Sequence, residues 1–222
     1  MEEKEKLEFV SYLEKFVTAN KKQKIAQALK NRMRYISILL EDIREPHNAS
    51  AAVRSCDAFG IQDVYVVEKD TSFNASVGVA KGASKWVDIK CYKNLADSIK
   101  AIRDCGYKIV TTQPNVKKTI TDLSLEQKTI LAFGTEISGV TDELVSYADD
   151  IVSIPMFGFT ESFNVSVSVA LCLYELVSRL HKSDINWFLS DKEKIDIRLQ
   201  WLKNIVTDPK KYEKYFKEKG FK

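Results

Sequence analysis

Apolar residues in the central part of the chain form short, nearly continuous runs. The runs at 35–43 and 61–67 are rich in β-branched residues and are typical of strands buried on both faces. Between them, residues 48–59 are rich in alanine and predict a helix that ends with Gly60 at its C′ position. These segments together predict a β-α-β unit.

The same alternation continues along the chain. Further strands are predicted at 86–92, 107–112, 129–133 and 151–155, and helices at 94–106, from Thr141, and from Ser162 to His181. This order predicts an α/β fold in which helices cover both faces of a parallel sheet. Ligands bind such sheets at the carboxyl ends of the strands, so the loops there are the candidate site.

The two ends of the chain lie outside this alternation. A length of 222 residues suits one main domain with appendages. We therefore predict a main domain at 35–181, a basic helical appendage at 1–34 and a second basic helical appendage at 182–222.

Positive charge is concentrated in these appendages, although the whole chain has a net charge of only +3. Residues 15–34 carry seven Lys or Arg and no acid, and residues 203–222 carry seven Lys against three acids. Basic ends on a central domain of net negative charge suggest binding of a polyanion such as RNA. Such basic runs are also often only solvated faces. The candidate RNA contacts are Lys21, Lys22, Lys24, Arg32, Lys210, Lys211 and Lys214.

Composition excludes several other classes of protein. With 45% hydrophobic and 29% charged residues the chain is typical of globular proteins, and no apolar stretch approaches the roughly 20 residues of a membrane span. The charged N-terminus is unlike a signal peptide. Four scattered cysteines and two histidines indicate neither a metal site nor disulfides, so we expect four buried thiols and a cytoplasmic location.

The common nucleotide-binding motifs are also absent. Gly134 and Gly139 bracket four residues as in a P-loop, but Val140 and Thr141 follow where Lys and Ser or Thr are required. The chain also lacks the G-x-G-x-x-G motif of dinucleotide-binding folds. It lacks the G-x-S-x-G motif of serine hydrolases as well. The site is therefore expected to hold its ligand through loops and backbone.

Three loops at the predicted strand ends carry long motifs: PHNASAAVRSCDAFG, ILAFGTEISGVTDELVSYAD and IPMFGFTESFNVSVSVALCLYE. In this order they resemble the three motifs of the SpoU or TrmH family of S-adenosylmethionine-dependent RNA 2′-O-methyltransferases. The resemblance runs from about Arg34 to His181. It implies a deep trefoil knot, S-adenosylmethionine as cofactor, RNA rather than DNA as substrate, and a homodimer.

Within the family, the short basic N-terminus and the C-terminal helices resemble the members that methylate guanosine 18 of tRNA. Methylation of ribosomal RNA and RNA binding without catalysis are the alternatives. The motifs imply active-site roles for Asn48, Arg54, Glu136, Ser162 and Asn164. The resemblance also implies a cofactor pocket lined by Thr112, at the end of the strand predicted at 107–112, and by Gly134, Ile154 and Phe163, where Phe163 replaces a common leucine.

The residues themselves leave some roles open. Asn48, Ser162 and Asn164 are also suited to cap helices, and Glu136 to anchor nearby backbone amides. The resemblance implies that Arg54 is a base activated by the RNA phosphate, but an arginine side chain by itself stays protonated. The alternative is that Arg54 clamps the phosphate through two hydrogen bonds while Ser162, Glu136 or water takes the proton. Met156, Phe157 and Phe159 are expected to form pocket wall.

Overall fold

The computed structural model describes residues 1–68, 82–135 and 138–219. It divides into two compact units. The sheet unit is Met33–Trp187, and the helical unit combines Met1–Arg32 with the segment that begins at Phe188. The predicted appendages at the two ends of the chain thus fold together in one unit.

The sheet unit is built on six parallel strands in the order β3-β2-β1-β5-β4-β6. The strands are β1 (Ile36–Glu41), β2 (Asp63–Val67), β3 (Asp88–Tyr92), β4 (Lys108–Thr112), β5 (Thr129–Phe133) and β6 (Asp150–Val152). Every residue of β1, β2 and β5 is buried. Burial on both faces explains why the sequence is nearly continuously apolar along these strands.

Helices cover both faces of the sheet, as predicted. They are α3 (Pro46–Ala58), α4 (Leu95–Asp104), α5 (Asp142–Ser146) and α6 (Val165–His181). On one face the core includes Ala52 of α3 and Leu173 of α6. On the other it includes Ile99 of α4 and Leu144 of α5. The α/β class with a parallel sheet is therefore confirmed.

Two helix starts differ from the sequence prediction by two residues or more. Helix α3 begins at Pro46, because proline has a helical φ and lacks only an N–H that would be unpaired there. Helix α6 begins at Val165 rather than Ser162, because Asn164 caps it. Gly60 has the C′ position predicted for it, with a φ of 76° and with the N–H of Ile61 bonded to Cys56 O at 2.8 Å.

Two of the four cysteines are buried and two are not. Cys56 and Cys172 lie in the core, and burial raises the pKa of the Cys172 thiol to about 12. Cys91 and Cys105 are exposed, so the prediction of four buried thiols is wrong for these two. Cys91 lies in β3 at the edge of the sheet and Cys105 caps the C-terminus of α4, positions that an apolar pattern does not distinguish from core.

The helical unit contains α1 (Glu3–Leu13), α2 (Ala19–Lys30), α7 (Asp191–Ile205) and α8 (Pro209–Lys219). Phe9, Leu13 and Trp201 are buried in its core. Thr18 caps α2, and Ser190 with Glu193 forms a capping box on α7. None of the described helices has the length and apolarity needed to span a bilayer.

Candidate active site

A cavity of about 310 Å³ lies at the carboxyl edge of the sheet. Its walls come from the segments that follow β4, β5 and β6 and from the start of α6. All four residues that the family resemblance assigns to the cofactor line it: Thr112, Gly134, Ile154 and Phe163. The structure thus brings together residues that are up to 51 positions apart in the sequence.

The cavity walls combine apolar and polar side chains. Val140, Met156 and Phe163 provide apolar surface, whereas Thr135, Ser138 and Ser162 provide hydroxyls and Glu161 a carboxylate. Phe157 and Phe159 are 99% and 107% exposed and are not among the lining residues. Of the three residues expected as pocket wall, only Met156 has that position.

The loop that follows β5 reaches the cavity through a close backbone contact. A Cβ on Gly134 would lie 1.9 Å from the carbonyl oxygen of Gly139. Thr135 and Gly139 exchange two backbone hydrogen bonds of 3.0 Å, and Gly139 has a φ of 68°. Only glycine at position 134 permits this approach. Glu136 is in the same loop and lies outside the described residues.

A buried carboxylate supports the far end of this loop. Glu41, the last residue of β1, is 1% exposed. Its Oε2 accepts from the N–H of Thr141 at 2.9 Å and its Oε1 from the Thr141 hydroxyl at 2.6 Å. Sequence reasoning missed this residue, although an acid at the end of a largely apolar strand is the signal that could have revealed it.

Asn48 and Asn164 meet through their side chains. Asn164 Nδ2 donates to Asn48 Oδ1 at 3.0 Å, which joins α3 to the start of α6. The Asn164 Oδ1 accepts from the N–H of Ser166 at 2.9 Å and from its hydroxyl at 2.7 Å. Asn164 is therefore a helix cap as well as a neighbour of the cavity residues Phe163 and Val165. Asn48 is not a cap, because Glu45 has the N-cap position of α3.

Arg54 is exposed on α3, and no described residue forms a hydrogen bond or ion pair with its guanidinium. At 1.5 Å per residue, it lies about 9 Å along the helix from Asn48. Ser162 is exposed and lines the cavity without capping a helix. Arg54 is thus a cation open to a ligand from solvent, but no described contact links it to the cavity.

The basic residues of the helical unit differ in exposure. Lys24, Lys210, Lys211 and Lys214 are exposed, and Lys21 and Lys22 are half-buried. Arg32 is 3% exposed, with its guanidinium 4.9 Å from the centre of the Trp201 ring. Arg32 therefore presents no charge to solvent. Among the described residues, no group of His, Cys, Asp or Glu has an arrangement suited to a metal ion.

Comparison with known proteins identifies a family. The model of the SpoU rRNA Methylase family matches residues 35–174. The tRNA (guanosine(18)-2′-O)-methyltransferase of Borreliella burgdorferi is 38% identical over 203 residues, which are 91% of this chain and 93% of that protein.

Solved structures show the same fold. The TrmH/SpoU tRNA modifying enzyme of Aquifex aeolicus superposes with a TM-score of 0.74 at 27% identity, covering 85% of this chain and 98% of that one. The SpoU methyltransferase AviRb from Streptomyces viridochromogenes, solved in complex with the cofactor AdoMet, has a TM-score of 0.60 at 24% identity and covers 71% of this chain and 62% of that one.

Proposed function

This chain belongs to the SpoU rRNA Methylase family, and we propose on that basis that it transfers a methyl group from S-adenosylmethionine to the ribose 2′-hydroxyl of guanosine 18 in tRNA. The observation that carries the proposal is the cavity at the carboxyl edge of the sheet. All four residues assigned to the cofactor line this cavity. The tRNA substrate is taken from the Borreliella burgdorferi relative, which matches nearly the whole chain.

The cavity fits S-adenosylmethionine in size and chemistry. Its volume of about 310 Å³ is within the range of small-molecule sites, roughly 300–1,000 Å³. Ile154, Met156 and Phe163 offer apolar surface to the adenine ring, and Ser138 and Ser162 offer hydroxyls to the ribose. The Glu161 carboxylate offers a partner for positive charge. When bound, this cofactor supplies an activated methyl group on a sulfonium.

Arg54 is proposed to bind an RNA phosphate beside the target ribose. Its guanidinium offers charge and paired N–H donors suited to bidentate contact with a phosphate. Because an arginine guanidinium stays protonated in proteins, we assign Arg54 the role of phosphate clamp and not that of proton acceptor. The hydrogen bond between Asn48 and Asn164 supports this arrangement by joining the helix of Arg54 to the cavity edge.

RNA is proposed to bind the helical unit through Lys21, Lys22, Lys24, Lys210, Lys211 and Lys214. We leave Arg32 out of this surface, because it is buried against Trp201. A tRNA-modifying role and four thiols outside disulfides support a cytoplasmic location. The trefoil knot stays an implication of the family resemblance.

A homodimer is supported by one face of α6. Val167, Leu171 and Tyr174 are 43%, 39% and 62% exposed, and their spacing places them on one side of the helix. Exposed apolar stripes of this kind mark protein interfaces. We propose that a second copy of the chain covers this stripe.

The function is tested by incubating the full chain with methyl-labelled S-adenosylmethionine and three separate nucleic acids: unmodified tRNA, ribosomal RNA and a DNA copy of the tRNA. Label is expected in tRNA alone, because DNA lacks the 2′-hydroxyl. Label in ribosomal RNA alone would show a different substrate. Tight binding of tRNA without any label would favour an RNA-binding protein that lacks catalysis.

A further inference from the structure

The carboxylate of Glu41 lies where two neighbouring strands, β1 and β5, lead into the candidate site. It is nearly inaccessible to water, yet both of its oxygens accept hydrogen bonds from one residue, Thr141, which is 100 positions away. A buried charged group is costly unless it is well paired. The two hydrogen bonds therefore fix the position of Thr141 relative to β1.

Thr141 ends the loop between β5 and α5, which we call the cavity loop; its described residues are 134–135 and 138–141. Thr141 is also the N-cap of α5, since its hydroxyl accepts from the N–H of Leu144 at 3.2 Å. That hydroxyl has a single proton, which it donates in a hydrogen bond of 2.6 Å to the Glu41 carboxylate. The carboxylate thus orders the cap and holds the end of the cavity loop.

The other end of the cavity loop is joined to the sheet and lies close to the Gly139 backbone. Gly134 follows directly from the buried strand β5 and contacts the Gly139 carbonyl through its backbone. Ser138, Gly139 and Val140, which line the cavity, lie between Gly134 and Thr141. A shift of Thr141 would therefore move the cavity wall.

We propose that Glu41 is a positioning residue for the cofactor: its carboxylate sets the cavity loop through Thr141 without touching any ligand. This inference rests on the proposed function, in which the cavity binds S-adenosylmethionine. It assigns a task to a buried acid that precedes the first of the three motif segments quoted above.

The test measures the Kd of the demethylated product, S-adenosylhomocysteine, by calorimetry for the full chain and for Glu41→Gln, Thr141→Val and the double variant. Each single change is expected to raise the Kd about ten-fold, because it removes a hydrogen bond to a charged group. The double variant should have a Kd no higher than that of the weaker-binding single variant, because both changes break the same pairing.

A second readout separates positioning from general damage. The variants should have a raised KM for S-adenosylmethionine, while kcat at saturating cofactor and the Kd for tRNA stay within about two-fold of the parent protein. The matched control is Asp63→Asn, which alters another buried carboxylate, 3% exposed, at the amino end of β2. This control should lower thermal stability without changing the cofactor Kd.

An unchanged Kd in folded Glu41→Gln or Thr141→Val would overturn the inference, and so would an equal rise in Kd for Asp63→Asn. If Glu41→Gln fails to fold, the Kd of Thr141→Val alone tests the inference, since this change removes only the hydroxyl. Failure of the parent protein to bind the product at all would instead refute the proposed function.

Discussion

Arg54 is an exposed cation on α3 without a pairing partner among the described residues. If it clamps a phosphate, Arg54→Ala should lower kcat/KM at least about 100-fold, because the variant cannot form a charge-assisted hydrogen bond in the transition state. Arg54→Lys retains charge but not the planar fork, and its kcat/KM should fall about ten-fold. Both are measured by methyl transfer to tRNA, with the product Kd as the control. A lysine variant with the parent kcat would show that charge alone suffices.

Gly134 is the second residue on which the site depends. Gly134→Ala would place a Cβ 1.9 Å from a backbone oxygen, so the cavity loop must move. We expect the free energy of unfolding to fall by about 3 kcal/mol and product binding to be abolished. Gly158→Ala is the matched control, because nothing lies within 4 Å of its added Cβ. Equal melting temperatures and Kd values for the two variants would contradict the close approach at Gly134.

Single residues also show where sequence reasoning reaches its limit. The family resemblance identifies Thr112, Gly134, Ile154 and Phe163 as cofactor residues from the sequence, and all four line one cavity. The task of Glu41 cannot be predicted in this way, because it depends on a partner 100 residues away that only the pairing of β1 with β5 brings near. The sequence places Arg32 on the basic surface because it shows the charge but not the Trp201 ring beside it.

Among the strands, β5 is the best predicted, because it is central in the sheet and buried on both faces, whereas the edge strand β6 ends three residues before its predicted end. Strand β5 has the predicted bounds, Thr129–Phe133. Helix starts are less predictable, because they depend on which side chain caps the helix. Asn164 caps α6, whereas Asn48 lies within α3. The order of the strands in the sheet is not encoded in any local pattern.

Helix α6 has an apolar stripe that the core does not cover. Leu171→Glu places a charge in the centre of this stripe and should convert a dimer to a monomer, because burying an unpaired charge is costly. Sedimentation velocity measures the change. Gln200→Glu, which adds the same charge at an exposed position of α7, should leave the dimer intact. A parent protein that sediments as a monomer at all concentrations would contradict the interface.

For the protein as a whole, charge is expected to govern RNA affinity. The triple change of Lys24, Lys210 and Lys211 to Gln should weaken tRNA binding and reduce the salt slope by about three units, one for each phosphate that is no longer neutralised. A control with Lys4, Lys100 and Lys192 changed to Gln alters net charge equally. Equal slopes in the two variants would show that the first three lysines form only a solvated face.

Methylation of a single ribose hydroxyl of tRNA is the activity on which the other proposals depend. It is measured with two synthetic tRNAs that differ only at guanosine 18, one with ribose and one with 2′-deoxyribose at that nucleotide. After incubation with S-adenosylmethionine, mass spectrometry of nuclease fragments should find one added methyl group at guanosine 18 of the first tRNA and none in the second. Methylation of the deoxy tRNA to the same extent, or none in either, would contradict this activity.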